Sequence, residues 1–439
     1  MNTQHRSPGV CFYFQVHQPY RLRDLRVTEL GNGKLDYFDE EKNRTIFRKV
    51  AEKCYLPTNR LMLNLLGAHP DFRIAYSLSG SFLDQCREYG ADVLDSFRAL
   101  AATGQVEFLA ETYDHSLCSL TSLPEFCDQV ARHVRTIQDL FGQTPTTFRN
   151  TELIYSNAIA QIARLMGFDT ILAEGADFLL HGRSANVPYS PPRFRLPRGQ
   201  EKIIADHRPL PKRSESITVL LKNYRLSDDV AFRFSNRNWS GYPLYAETYA
   251  DWIASSGGES VNLFMDYETF GEHQWADTGI FDFLSTLPES FKKRGIATRT
   301  PRDTARQWNG QKEIYDAHVP VSWADIERDL SAWLGNPIQQ SATDQLYAME
   351  ADVKASNDPS ILCDWRRLQT SDHAYYMCTK YWNDGDVHKY FSPYDSPYEA
   401  YRRFSHALHD LQLRLESIRN HESGILQNAQ NSKSKIQNS

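Results

Sequence analysis

Seven short apolar runs of β type punctuate the first two thirds of the chain, at residues 10–16, 72–78, 106–109, 146–148, 170–173, 217–221 and 261–265. Between them lie segments such as 47–66, 82–102, 126–141 and 157–166, in which apolar residues recur at intervals of three and four. Those intervals predict amphipathic helices, and strands alternating with helices predict a parallel sheet. Seven runs over about 260 residues suit a (β/α) barrel better than a small doubly wound sheet. The proline-rich stretch 186–198 interrupts the pattern and reads as an extended surface excursion.

After about Trp308 the strand-like runs vanish and Trp, Tyr and Leu recur at helical spacing. Phe404, Leu408, Leu411, Leu415 and Ile418 step by 4, 3, 4 and 3, which draws one face of an amphipathic helix. The expected organisation is a barrel over 1–307, a helical domain over 308–419 and a polar, disordered tail over 420–439. No internal repeat is present.

Composition narrows the classes. The 439 residues, 41% hydrophobic and 12% aromatic, can bury a large core in two or three domains. A net charge of −6 supplies no counterion-release drive toward nucleic acid. No run approaches the roughly 18 apolar residues of a membrane span, and MNTQHRSPGV lacks the apolar core of a signal peptide. A cytoplasmic protein with neither nucleic acid nor membrane as partner is expected. Cys11, Cys54, Cys86, Cys118, Cys127, Cys363 and Cys378 are scattered without a CxxC pair, which disfavours both a disulfide framework and a cysteine zinc site.

The polar residues that end the apolar runs carry the chemical information. His17-Gln18-Pro19 follows the first run. Glu107 lies in the third, which leads into Glu111-Thr112-Tyr113-Asp114-His115. Arg149-Asn150-Thr151-Glu152 follows the fourth and Asp266-Tyr267-Glu268 the last. In a parallel barrel the C-terminal strand ends converge on one rim, so these distant residues can share a pocket. One such carboxylate is ordinarily a helix cap or an arginine partner; charged or imidazole groups at four strand ends suggest acid and base chemistry. Two chemistries fit. A protonated and an ionised carboxyl group cleave glycosidic bonds; alternatively His17, Asp266, His273 and His373 could hold a metal that activates water, although the tight HxxxH or HxH spacing is missing.

Five short motifs occur in one order: His17-Gln18-Pro19, Gly104-Gln105-Val106-Glu107-Phe108, Glu152 within FRNTELIYS, Met265-Asp266-Tyr267-Glu268-Thr269-Phe270-Gly271, and Ser371-Asp372-His373-Ala374-Tyr375-Tyr376. In these the sequence resembles glycoside hydrolase family 57, which comprises α-amylases, 4-α-glucanotransferases, branching enzymes and amylopullulanases acting on α-glucans. The resemblance implies an incomplete (β/α)7 barrel followed by a C-terminal helical domain, and a retaining mechanism that needs neither metal nor other cofactor. It implies Glu152 as nucleophile and Asp266 as general acid/base, with His17, Glu107, Glu268 and Asp372 lining the subsite of the attacked sugar. Asp372 would then fold back from the helical domain onto the rim.

Asp266 must be protonated to donate to the leaving oxygen, and Glu268, Glu152, Asp372 and burial would all disfavour its ionisation. His17 and His373 can donate to sugar hydroxyls. Tyr113, Trp239, Trp275 and Tyr375 are candidates for stacking on pyranose faces, each weighed against ordinary core packing. The fourth motif continues as DYETFGEHQW, where the glucanotransferase branch has Asp-Gly-Glu-Lys-Phe-Gly, so the form is closer to a short α-amylase-like branch. The expected activity is hydrolysis of α-1,4-glucosidic bonds. The alternatives are glucan transfer or branching at the same site, a metal-dependent polysaccharide deacetylase, and a non-catalytic carbohydrate-binding protein.

Overall fold

A computed structural model describes residues 7–33, 35–308, 310–380 and 391–437, with side chains described as far as residue 420. It forms two compact units. One contains the described residues up to Gln18 together with Arg44–Leu330; the other contains Pro19–Asn43 and the described residues from Ser331 onward.

The strands of the first unit are β1 (Gly9–Val16), β2 (Ile74–Leu78), β3 (Val106–Phe108), β4 (Thr147–Arg149), β5 (Thr170–Glu174), β6 (Tyr189–Ser190), β7 (Thr218–Lys222), β8 (Ser260–Asp266), β9 (Thr298–Arg299) and β10 (Glu313–Ile314). Each of the seven apolar runs becomes one of the longer strands. Parallel pairing runs β3-β2-β1-β8 in one sheet and β4-β5-β7 in the other. A parallel bridge between Ala110 and Phe148 carries the first sheet into the second, with Arg149 N donating to Ala110 O at 2.8 Å. At the opposite seam Asn223 N donates to Asn262 O at 2.9 Å, and Asn262 Nδ2 donates to Leu221 O at 2.8 Å. The sheet therefore curls on itself, with one seam closed by an asparagine instead of a strand ladder. The proline-rich excursion includes β6, which pairs antiparallel with β7 at an edge.

Alternate side chains on a strand point to opposite faces. One set, including Val10, Phe12, Phe14, Ile74, Tyr76, Leu263 and Met265, packs among helix residues such as Phe82, Phe97, Tyr249 and Phe291. The other set fills the barrel in layers. Tyr13, Ala75, Leu109, Leu172, Leu220 and Phe264 form an apolar plug. One strand step toward the C-terminal ends come Gln15, Ser77, Glu111, Arg149, Glu174, Lys222 and Asp266; one step the other way come Glu107, Thr147, Thr170, Thr218 and Asn262.

Capping chemistry sets the helix limits. In Asn157–Met166 the Ser156 hydroxyl accepts from Ile159 N and Gly167 (φ 110°) ends the last turn; in Leu123–Phe141 Ser122 caps and Gly142 (φ 66°) terminates. The second unit is helical, with Pro337–Ala348, Pro359–Leu368, Ser371–Tyr375 and Pro397–Gln437 among its elements. Its core joins Leu346, Trp365, Phe404, Leu408, Leu411 and Leu415 to Tyr20, Leu22 and Tyr37.

Two expectations about organisation change. The division falls after Leu330, because β10 pairs with β6, and Val321 exchanges backbone hydrogen bonds with Tyr155, each 2.9 Å. Residues Pro19–Asn43 join the helical unit, where Asp410 accepts from Tyr37 Oη and Gly31 N, each at 2.8 Å. The expected tail over 420–439 falls, from residue 421, on residues whose side chains are not described.

Candidate active site

Beyond β4 the chain makes a tight turn. Glu152 (φ 58°, ψ 26°) and Leu153 (φ 50°) are consecutive non-glycine residues in the left-handed region. Each costs about 1–2 kcal/mol. The turn sends Leu153 into the apolar plug and leaves Glu152 partly exposed.

Both Glu152 oxygens are engaged. His115 Nε2 is 3.3 Å from Oε1, and Trp323 Nε1 donates to Oε2 at 2.8 Å. His115 Nδ1 lies 3.0 Å from Glu111 Oε2, and the His17 ring stacks on His115 with centroids 3.9 Å apart. Glu111 is fully buried; Ser77 Oγ donates to it at 2.6 Å, Gln15 Nε2 donates at 3.3 Å, and Arg149 Nη1 lies 3.7 Å away.

These contacts set the charges. Burial pushes Glu111 up, but the His115 hydrogen bond and the charges of His115 and Arg149 outweigh it and bring it down to about 2. Burial pushes His115 down, and its bonds to Glu111 and Glu152 reverse this to about 9, so both ring nitrogens donate. Glu152 also feels burial upward; His115, Arg149 and Trp323 together hold it below its ordinary range, and it is ionised. Asp266, at the end of β8, moves the other way. Burial first and the Glu152 charge second raise it to about 6, against Arg149, Lys222 and His115.

Glu268 goes further, to about 8, through burial and the Asp266 charge, against hydrogen bonds from Tyr55 Oη and the His17 backbone. On the β5–β7 side burial raises Glu174 to about 7, opposed by Lys222 and Arg328. Lys222 Nζ stands 3.9 Å from Glu174 and 3.2 Å from Asp228.

Glu152, Asp266, His17 and Glu268 are thus brought into one network. Glu107 is not. It is buried two strand steps below Glu111, about 13 Å at the strand rise. Thr147 Oγ1 and the Arg302 backbone N–H donate to its two oxygens. Its carboxylate joins a helix start to the lower layer, and the apolar plug lies between it and the rim, where the sequence expectation had put it in the sugar subsite.

Trp275 is 57% exposed, with Lys53 Nζ 4.7 Å from its ring centre, and is not part of the hydrogen-bonded network. Asp372 and His373 belong to the helical unit: Tyr376 Oη donates to Asp372 Oδ1 at 3.4 Å, and the buried His373 ring lies 5.6 Å from Phe404. Tyr113 is buried under Arg132 and donates to Asp84, while Trp239 packs on Trp252 and Tyr375 on Trp333, all ordinary packing roles. Burial holds His273 neutral, down to about 4. Among the described residues no three His, Cys, Asp or Glu side chains are grouped to hold a metal ion.

Glu111, His115, Arg149 and Trp323 join the site without having been among the candidates of the sequence motifs. The first three stand in the strand-end strings already noted, and the period of two places Glu111 on the same face as Glu107. Trp323 is 171 residues from Glu152, with no local signal.

A parallel barrel with one carboxyl group lowered and another raised at the ends of β4 and β8 suits the cleavage of glycosidic bonds. The chain belongs to glycosyl hydrolase family 57, which it matches over residues 11–317. A protein of Methanocaldococcus jannaschii named "Putative alpha-amylase" is 40% identical over 421 residues, 93% of this chain and 85% of the relative. The fold is similar to that of a 4-alpha-glucanotransferase from Thermococcus litoralis (TM-score 0.62, 15% identity, 84% of this chain). The match spans 56% of that longer chain. It is likewise similar to a branching enzyme from Pyrococcus horikoshii (TM-score 0.60, 16% identity, 84% of this chain and 85% of that one).

Proposed function

We propose that the protein is a retaining hydrolase of α-1,4-glucosidic bonds in α-glucans, of α-amylase type. Glu152 is the nucleophile and Asp266 the general acid/base. The observation that supports this reading is the opposed setting of two carboxyl groups at strand ends: His115 and Trp323 contact the two oxygens of Glu152 and hold it below its ordinary range, while burial and the Glu152 charge raise Asp266 to about 6. Glu152 attacks the anomeric carbon as the glycosidic C–O bond breaks. The bonding pair leaves with the departing oxygen, which takes its proton from Asp266. Asp266, now ionised, removes a proton from water, and the water oxygen displaces Glu152 from the ester. His17 and Glu268 bind the sugar in the attacked subsite, and the exposed Trp275 supplies a further substrate contact.

Hydrolysis is preferred over transfer because the relative at 40% identity is named for an amylase. Seven free cysteines suit a reducing compartment, in line with a cytoplasmic enzyme. The test is incubation with maltooligosaccharides while reducing ends and chain lengths are followed. Rising reducing ends support hydrolysis. Redistribution of chain length without a rise means transfer, and no change in either sinks the reading.

A further inference from the structure

We infer that Trp323 is a positioning residue for the nucleophile: its indole N–H fixes Oε2 of Glu152, so that Oε1 is the oxygen that attacks. This rests on the assignment of Glu152 above and names a residue beyond the 11–317 span that matches the family.

The segment around Trp323 is tied to both sides of the nucleophile turn. Tyr155 and Val321 exchange two backbone hydrogen bonds of 2.9 Å, and Trp323 N donates to Glu152 O at 3.3 Å. Two left-handed residues at 152 and 153 would relax without such a brace. The indole ring is itself fixed, with the Arg149 guanidinium 5.1 Å from its centre and the Lys222 ammonium at 5.4 Å. Arg149 is fully buried, and none of its guanidinium nitrogens has a hydrogen-bond partner among the described residues. Its charge is met by the Trp323 ring and by Glu111 at 3.7 Å. Arg328 donates to the Trp323 carbonyl and lies 4.0 Å from Glu174 and 3.9 Å from Asp228, so the loop is anchored on the rim.

The two bonds to Glu152 differ in a way that selects the attacking oxygen. When the ester forms, the attacking oxygen becomes a weak acceptor and the other becomes a carbonyl oxygen that still accepts. The 3.3 Å contact of His115 with Oε1 is the one given up at least cost; the 2.8 Å bond from Trp323 to Oε2 persists through the intermediate. As the Oε1–carbon bond forms, the glycosidic bond breaks and the proton of Asp266 follows the leaving oxygen.

Trp323→Phe keeps a ring between the two cations and deletes the N–H. Its kcat is expected to fall about tenfold or more with KM changed less than about threefold. The acid limb of kcat/KM is expected to move up by about half to one pH unit, because an ionised carboxylate has lost a donor. An unchanged acid limb, or a loss carried wholly by KM, overturns the assignment. Arg328→Met, which frees the Trp323 carbonyl without touching the ring, should shift the limb in the same direction and serves if Trp323→Phe fails to fold. Trapping wild-type enzyme with a 5-fluoro glycosyl fluoride and locating the label by mass spectrometry separates the two readings. A label outside Glu152 overturns both, and a label on Glu152 with an unshifted limb overturns Trp323 alone.

Discussion

His115 holds Glu152 through a 3.3 Å contact at Nε2 while its Nδ1 stands 3.0 Å from the buried Glu111. A protonated imidazole between two carboxylates ties the ionisation of Glu152 to a charge pair sealed inside the barrel.

Stability should record that arrangement. His115 is raised to about 9, so its contribution is fully present below its unfolded value near 6.5 and is lost as the pH rises through about 9. Asp266, Glu174 and Glu268 are carboxyl groups whose folded values are raised, so each also loses stabilisation on the way up, between its unfolded value and about 6, 7 and 8 respectively. The melting temperature is expected to fall from about pH 4 to about pH 9, and the gap between wild type and His115→Gln to shrink between 6.5 and 9. Thermal melts across that range check this; a flat or rising profile contradicts it.

Activity should be greatest on the acid side of neutrality. Glu152 must be ionised and Asp266 protonated, so kcat/KM rises as Glu152 ionises below its ordinary 4.5 and falls as Asp266 ionises near 6. The expected profile, measured on maltooligosaccharides, is a bell with its acid limb below 4.5 and its alkaline limb near 6. An alkaline limb above pH 8 would remove Asp266 as the acid.

Glu152→Gln should lower kcat by about a thousandfold or more, because the amide cannot form the glycosyl ester. Its melting temperature should stay within a few degrees of wild type, since Trp323 and Asn150 still hold the turn. Near-normal turnover would show another residue to be the nucleophile.

Glu107→Gln should behave oppositely, at a cost of about 1 kcal/mol in stability with kcat/KM unchanged. The altered group pairs with Thr147 and the Arg302 backbone, below the apolar plug. Denaturant melts and steady-state kinetics on the same preparation decide between this role and sugar binding.

The seven strands were legible because each is a buried run whose side chains are apolar on the outer face, and the capped helices because Ser156 and Gly167 mark their own ends. Glu152 and Asp266 were legible because a barrel puts strand ends on one rim. Sequence periodicity determines the face of a strand but not the depth along it, and Glu107 and Glu111 share a face while lying two layers apart. Only the closed sheet, with its plug of Tyr13, Leu109 and Phe264 between them, decides which of the two meets the rim. The same limit applies across distance. Nothing local announces that Trp323 will donate to a carboxylate 171 residues earlier, or that Tyr37 will leave the barrel to donate to Asp410. Local pattern determined the elements and the strand-end candidates; the pKa shifts and the brace on Glu152 were decided by which groups tertiary packing buries together.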